Sequence, residues 1–150
     1  MGKVTVSVPA AIPDLGVGQH SLSLAVGMFM TIQMSESSPG LMVHLDSEGF
    51  MSMSSSAAHP VIQGARIVFR TKQLAPDGLQ VSVHNEIPLD IGLPVEDVAL
   101  LAGIVAGNVV IGSPLNRAQI LELALEYAQQ PFLMATLYDG GLRAFQNVAR

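Results

Sequence analysis

Cysteine is absent from this chain of 150 residues, which rules out disulfides, thiolate nucleophiles and cysteine-based metal sites. Tryptophan is absent too, and there are only two Tyr. Charge is scarce at 13% of residues, with seven scattered Lys and Arg, a net charge of −5 and a sequence pI near 5.1. Nucleic-acid binders present a basic stripe and aromatic stacking platforms, so nucleic acid is not an expected partner. No long hydrophobic run is present either. The apolar stretch from Val98 to Gly112 spans fifteen residues and includes Asn108, too short to cross a bilayer. The chain opens with Val4, Val6 and Val8 alternating with Thr5 and Ser7, as a strand does, and not with a charged-then-apolar leader. A soluble cytoplasmic protein is the expectation.

What is abundant is apolar side chain, at 49% of residues with a mean hydropathy of +0.45. A chain of this length can bury a sizeable core, and a single domain over residues 1–150 is expected. So few charges leave little with which to cover a large apolar surface, which implies a homo-oligomer, most simply a two-fold dimer.

The pattern is α/β. Period-two alternation predicts strands at 3–8 and 21–34, the second with Leu22, Leu24, Val26, Met28, Met30 and Ile32 on one face, and further strands at 41–46 and 79–85. Ser37-Ser38-Pro39-Gly40 and Pro76-Asp77-Gly78 carry turn chemistry. Helical spacing predicts a helix over 60–73 from Val61, Ile62, Ala65, Val68 and Phe69, and another over 95–111. Asn116 with Gln119 forms a capping box for a third, ending near Gln129. After Pro131 the pattern returns to strand, with Asp139-Gly140-Gly141 as a hairpin turn. Gly103 and Gly107, with Ala99, Ala102 and Ala106, suit close packing of the second helix against a sheet better than a membrane dimer.

Several chemical motifs are weak. Gly16-Val17-Gly18 lacks the third glycine of a dinucleotide fingerprint and reads as a tight turn. The run Ser54-Ser55-Ser56-Ala57-Ala58 reads as a loop. His20, His44, His59 and His84 lie far apart in sequence, with no short metal-ligand spacing, and no metal site is expected.

The segment from Ile87 to Asp97 is more specific. Ile87-Pro88-Leu89-Asp90-Ile91-Gly92-Leu93-Pro94-Val95-Glu96-Asp97 resembles the phosphate loop of the GHMP kinase superfamily, in which a strand ending in Ile-Pro leads into Pro-x-x-x-Gly-Leu-Gly-Ser-Ser-Ala-Ala. Pro88, Gly92 and Leu93 keep their places, but Pro94, Val95, Glu96 and Asp97 replace Gly, Ser, Ser and Ala. Val8-Pro9-Ala10-Ala11-Ile12-Pro13-Asp14-Leu15-Gly16-Val17-Gly18-Gln19-His20 is similar to the start of homoserine kinases. The stretch from Leu123 to Leu142 aligns with their segment containing Glu-Gly-His-Pro-Asp-Asn.

The resemblance implies a GHMP-kinase amino-terminal domain, with a mixed or antiparallel sheet and helices packed on one face. It also implies a second kinase domain that would begin where this chain ends. The family's phosphate-binding positions fall at Gly92, Leu93, Glu96 and Asp97, its substrate-contacting positions at Asp14 and His20, and its metal-associated Glu at Ala128.

Helix amino termini bind phosphate through unpaired N–H groups, with glycine allowing close approach. Pro94 removes one donor, and Glu96 with Asp97 would set two carboxylates against a polyphosphate. Like charges about 4 Å apart repel by roughly 4 kcal/mol at an intermediate dielectric, less once screened. The same residues make a good helix start, with acidic side chains answering the dipole. Two readings stand. One is a domain without catalytic residues, cofactor or metal, serving as an oligomeric structural or binding module, with a small-molecule ligand possible. The other is an ATP- and Mg2+-dependent kinase of homoserine type.

Overall fold

The structure, a computed structural model, describes residues 3–12, 20–46, 58–89, 91–140 and 142–146. In order these form β1 (Val4–Ile12), β2 (His20–Glu36), β3 (Gly40–Asp46), α1 (Pro60–Lys72), β4 (Gly78–Asn85), α2 (Val95–Val110), α3 (Arg117–Tyr127), a 3-10 turn (Pro131–Leu133), α4 (Met134–Asp139) and β5 (Leu142–Gln146). The sheet runs β1-β2-β4-β3, and β5 also pairs with β2. All pairings are antiparallel except β3 with β4, which are parallel and joined through α1. The α/β class and the mixed sheet with helices on one face are as the sequence implies.

Strand alternation sorts the residues. Met30, Ile32 and Met34 of β2 and Val81 and Val83 of β4 face the helices and are almost completely buried. Each such side chain contributes about 1.5–3 kcal/mol relative to remaining in water. Their neighbours on the open face are polar: Thr5 pairs with Gln33, Ser7 with Thr31 and Ser82 with Gln33. Across that face the Ser7 and Thr31 hydroxyls lie 2.7 Å apart.

The apolar stripe expected along β2 does not hold to its start. Pro9 and Ala10 are consecutive, yet they pair with Phe29 and Val26, so Gly27 and Met28 are extra residues in a bulge. Before it, Leu24 is 37% exposed while Ser23 is fully buried. The bulge also forks the sheet. Leu24 pairs with both Ile12 and Leu142, and Met30 with both Val8 and Asn85, so β5 and β4 share the edge of β2 opposite β1. Between them, Glu86 N–H donates to the Phe29 carbonyl at 3.0 Å, and there the chain leaves the sheet.

Two other expectations are corrected. Residues 131–139 are helical, not extended, because Pro131 occupies the first position of a helical turn, where its fixed φ is favourable. Leu133, Ala135 and Leu137 look like alternation, but the buried apolar set is Leu133, Met134 and Leu137, at helical spacing, with Thr136 buried beside them. Asp139-Gly140 therefore closes α4, with Gly140 at φ +74 and its N–H on the Thr136 carbonyl, instead of joining two strands; Gly141 lies outside the described residues. The two glycines of α2 meet α1, while the helix also packs on β1 and β2 of the sheet. A Cβ on Gly103 would fall 2.0 Å from the Val61 carbonyl oxygen, and one on Gly64 of α1 2.3 Å from that of Leu100.

The strand, turn and helix boundaries are otherwise close to expectation, although β1 continues to Ile12, beyond residue 8. The turn at 16–18 and the serine run at 54–57 fall outside the described residues.

Candidate functional site

Asn85, the last residue of β4, sets up the loop. Its buried side chain donates to the Ile87 carbonyl at 2.8 Å and accepts from the Ile87 N–H at 2.9 Å, which turns the chain and buries Ile87. Beyond it the loop rises into solvent, with Leu89 and Ile91 exposed. Gly92 takes φ +78, a backbone that side chains rarely adopt. The chain then tightens, Val95 N–H donating to the Leu93 carbonyl at 2.9 Å, and α2 begins. Pro94 stands at the cap position and makes no side-chain capping bond.

Glu96 and Asp97 therefore occupy the first turn of α2, the place where a helix start offers unpaired N–H donors. Both reach across to the segment after α3. Asp97 is 3% exposed, and its two carboxylate oxygens accept from the Gln129 N–H at 2.9 Å and the Gln130 N–H at 2.8 Å. Glu96 accepts from the Gln129 side-chain amide. A carboxylate on two consecutive backbone amides is a charge-assisted pair, roughly twice as strong as neutral bonds.

These bonds join the loop to the segment after α3. Ala128, at the position the resemblance gives to the metal-associated Glu, is the C-cap of α3 and directly precedes Gln129. A cavity of about 360 Å3 lies between the two segments, lined by Leu89, Gly92, Pro94, Glu96, Asp97 and Gln129 among others. Among the described residues no Lys or Arg lines it. The residues present do not fit a polyphosphate: carboxylates stand at the helix start, and among the described residues no group of three or more His, Asp or Glu is placed to hold a metal.

The structure thus brings Gly92, Leu93, Glu96 and Asp97 together. Asp14 lies outside the described residues, and His20 is described by its backbone, which opens β2 opposite Gln146. Sequence reasoning missed the link from Asp97 to Gln129 and Gln130, since backbone donors leave no residue signature. Nor did it single out His59 as the cap of a helix. His59 is fully buried and caps α1, its Nδ1 accepting from the Val61 N–H at 3.2 Å, and burial lowers its pKa below 6.5. Its place just before Pro60, the first residue of α1, was the available signal.

A forked mixed sheet with helices on one face, and a glycine loop that opens a small-residue helix beside the segment at 128–130, define a particular class of domain. The chain has the fold of a GHMP-kinase amino-terminal domain. Its sequence is similar to the amino-terminal part of homoserine kinases. It is 32% identical over 129 residues to homoserine kinase of Corynebacterium aurimucosum, covering 86% of this chain and 42% of that protein. It is 33% identical over 139 residues to that of Corynebacterium efficiens, covering 93% and 45%. The chain thus spans less than half the length of these relatives. The fold superimposes on Methanococcus jannaschii mevalonate kinase with a TM-score of 0.77 at 13% identity, over 97% of this chain and 54% of the other. No family model matches the chain.

Proposed function

We propose that this homoserine-kinase-like domain does not transfer phosphate, and that it serves as a binding or structural module. The observation that carries this reading is Asp97, whose buried carboxylate sits in the first turn of α2 and is bonded to two backbone N–H groups of residues 129 and 130. The loop keeps its shape through Gly92 while its charge is reversed from what a phosphate requires. An anion approaching α2 would meet Glu96 and Asp97 in a cavity that no cationic side chain lines among the described residues. The reading includes self-association, most simply as a two-fold dimer, and residence in the cytoplasm.

A second reading is favoured by the 32–33% identity to homoserine kinases: an ATP-dependent phosphotransferase passing the γ-phosphate to a substrate hydroxyl. Isothermal titration with Mg2+ and a non-hydrolysable ATP analogue, beside a light-scattering mass, separates the two. No binding up to millimolar nucleotide, with a dimer mass, is the expected result. Micromolar binding would overturn the module reading and make homoserine the first substrate to assay, and a monomer at micromolar concentration would remove self-association.

A further inference from the structure

A cavity larger than the one beside the loop lies elsewhere in the domain. It holds about 750 Å3 at the other end of β4, between the starts of β3 and β4 and the outgoing end of α1. Gly78 lines this cavity and Asn85 opens the loop, so the length of β4 separates the two, roughly 23 Å at strand spacing.

Its floor is apolar, from Ile62, Phe69 and Leu79, all buried, and its rim leaves Leu74 51% exposed. Arg66 and Arg70 line it one helical turn apart. Residues so spaced have Cβ atoms about 5–6 Å apart, close enough for two guanidinium groups to share one anion. Two of the seven Lys and Arg of a chain with net charge −5 thus line one cavity, with Asp77 the one acid beside them among the described residues. Among the described residues no carboxylate pairs with either arginine. The helix dipole accounts for Arg70, in the last turn of α1, but not for Arg66 a turn earlier.

The frame is fixed by backbone. Gln73 takes φ +53 and donates to the Arg70 carbonyl at 3.2 Å, and Leu74 N–H donates to Phe69 at 3.1 Å. On the other side Ser37 N–H donates to the Gly78 carbonyl at 3.0 Å, and a Cβ on Gly78 would lie 1.8 Å from the Ser38 carbonyl oxygen.

The geometry points to a binding site for a small amphipathic anion, its carboxylate or phosphate head held by Arg66 and Arg70 and its apolar body lying on Ile62, Phe69 and Leu74. Guanidinium forks match both head groups, and the volume is within the range of small-molecule pockets. The site does not depend on what the loop at 92–97 does.

Titration with octanoate, octyl phosphate and octyl glucoside, followed by backbone amide NMR shifts, tests it. At least one of the two anions should bind with Kd below about 1 mM, shifting residues 66–78, and the neutral glucoside about tenfold more weakly. Which anion binds tighter identifies the head group. The variant R66Q/R70Q, at exposed positions, should weaken anion binding at least about tenfold with an unchanged Tm. Leu74→Glu should do the same by repulsion, and it provides an independent variant should the double one unfold. Equal affinity for the glucoside, shifts that map elsewhere, undiminished binding by the folded variants, or no anion binding at about 10 mM would each overturn the proposal.

Discussion

Helix α2 is held in two different ways along its length. In its middle, Gly103 and Gly107 lie against the backbone of α1, where a Cβ would stand 2.0 Å from the Val61 carbonyl oxygen and 2.7 Å from the Ala65 Cα. At its start, Gly92 has nothing within 4 Å of a built Cβ, and the helix is tied to its surroundings by the side chains of Glu96 and Asp97. The middle admits no new atom, whereas Gly92 before the start has room for one. Close packing and side-chain hydrogen bonding thus sit on different turns of one helix.

The sharpest way to break this contrast is to place equal side chains at both ends. Gly103→Ala should cost about 3 kcal/mol, because neither backbone can yield independently, and Gly103→Val should abolish cooperative folding. Gly92→Ala meets open space and should cost about 1 kcal/mol, from its positive φ alone. Thermal unfolding would show the difference, at about 2–4 °C per kcal/mol for a chain of this size. Equal losses would mean that the loop is as tightly specified as the helix interface.

Asp97 tests the other half. Asp97→Ala leaves two amide donors, at Gln129 and Gln130, without their acceptor and should cost about 2–3 kcal/mol. Asp97→Asn should recover only part of this, since its NH2 group faces one of the two donors. Faster hydrogen exchange at residues 129 and 130, ahead of the rest of the chain, would locate the loss. If Asp97→Ala unfolds no more easily than the parent, the carboxylate is not holding these segments together.

The cap of α1 gives a smaller, pH-dependent effect. His59 Nδ1 can accept the Val61 N–H only while unprotonated, and burial lowers its pKa below 6.5. Unfolding then takes up a proton between the folded value and 6.5, so this contribution is fully present above about pH 7 and falls as the pH drops through that window. Urea unfolding at about pH 7.5 and about 5.5 should show parent and His59→Asn diverging, since asparagine caps a helix without titrating. Parallel pH profiles would contradict this role.

Much of the fold was legible because it depends on local periodicity and turn chemistry. The Asn116–Gln119 box, the turn at Ser37–Gly40 and the alternation through Met30 and Ile32 are all found in the structure. The bulge at Gly27 and Met28 was not, because it is defined by the partner strand and not by its own residues. The helical turn after Pro131 was hidden by three apolar residues that satisfy either period. At the candidate site the acidic residues of the first turn of α2 could be read directly, but the bond from Asp97 to residues 129 and 130 spans more than thirty residues and ends on main-chain donors.

The smallest expected effect sharpens the contrast from outside α2. Helix α3 buries only Ile120 and Ala124, so it has little packing of its own and depends on its start. There the Asn116 side chain accepts from the Gln119 N–H at 3.0 Å, and the Gln119 side chain accepts from the Asn116 N–H at 3.0 Å. Asn116→Ala should cost about 1 kcal/mol and Gln119→Ala about half as much, with the double variant losing less than the sum because the two bonds close one ring. The informative readout is not total stability but exchange at Gln129 and Gln130. These donors are presented by the end of α3 and held by Asp97, so fraying at its start should leave them protected if Asp97 is the anchor. Release of both amides by Asn116→Ala would instead make α3 the anchor and Asp97 its dependent.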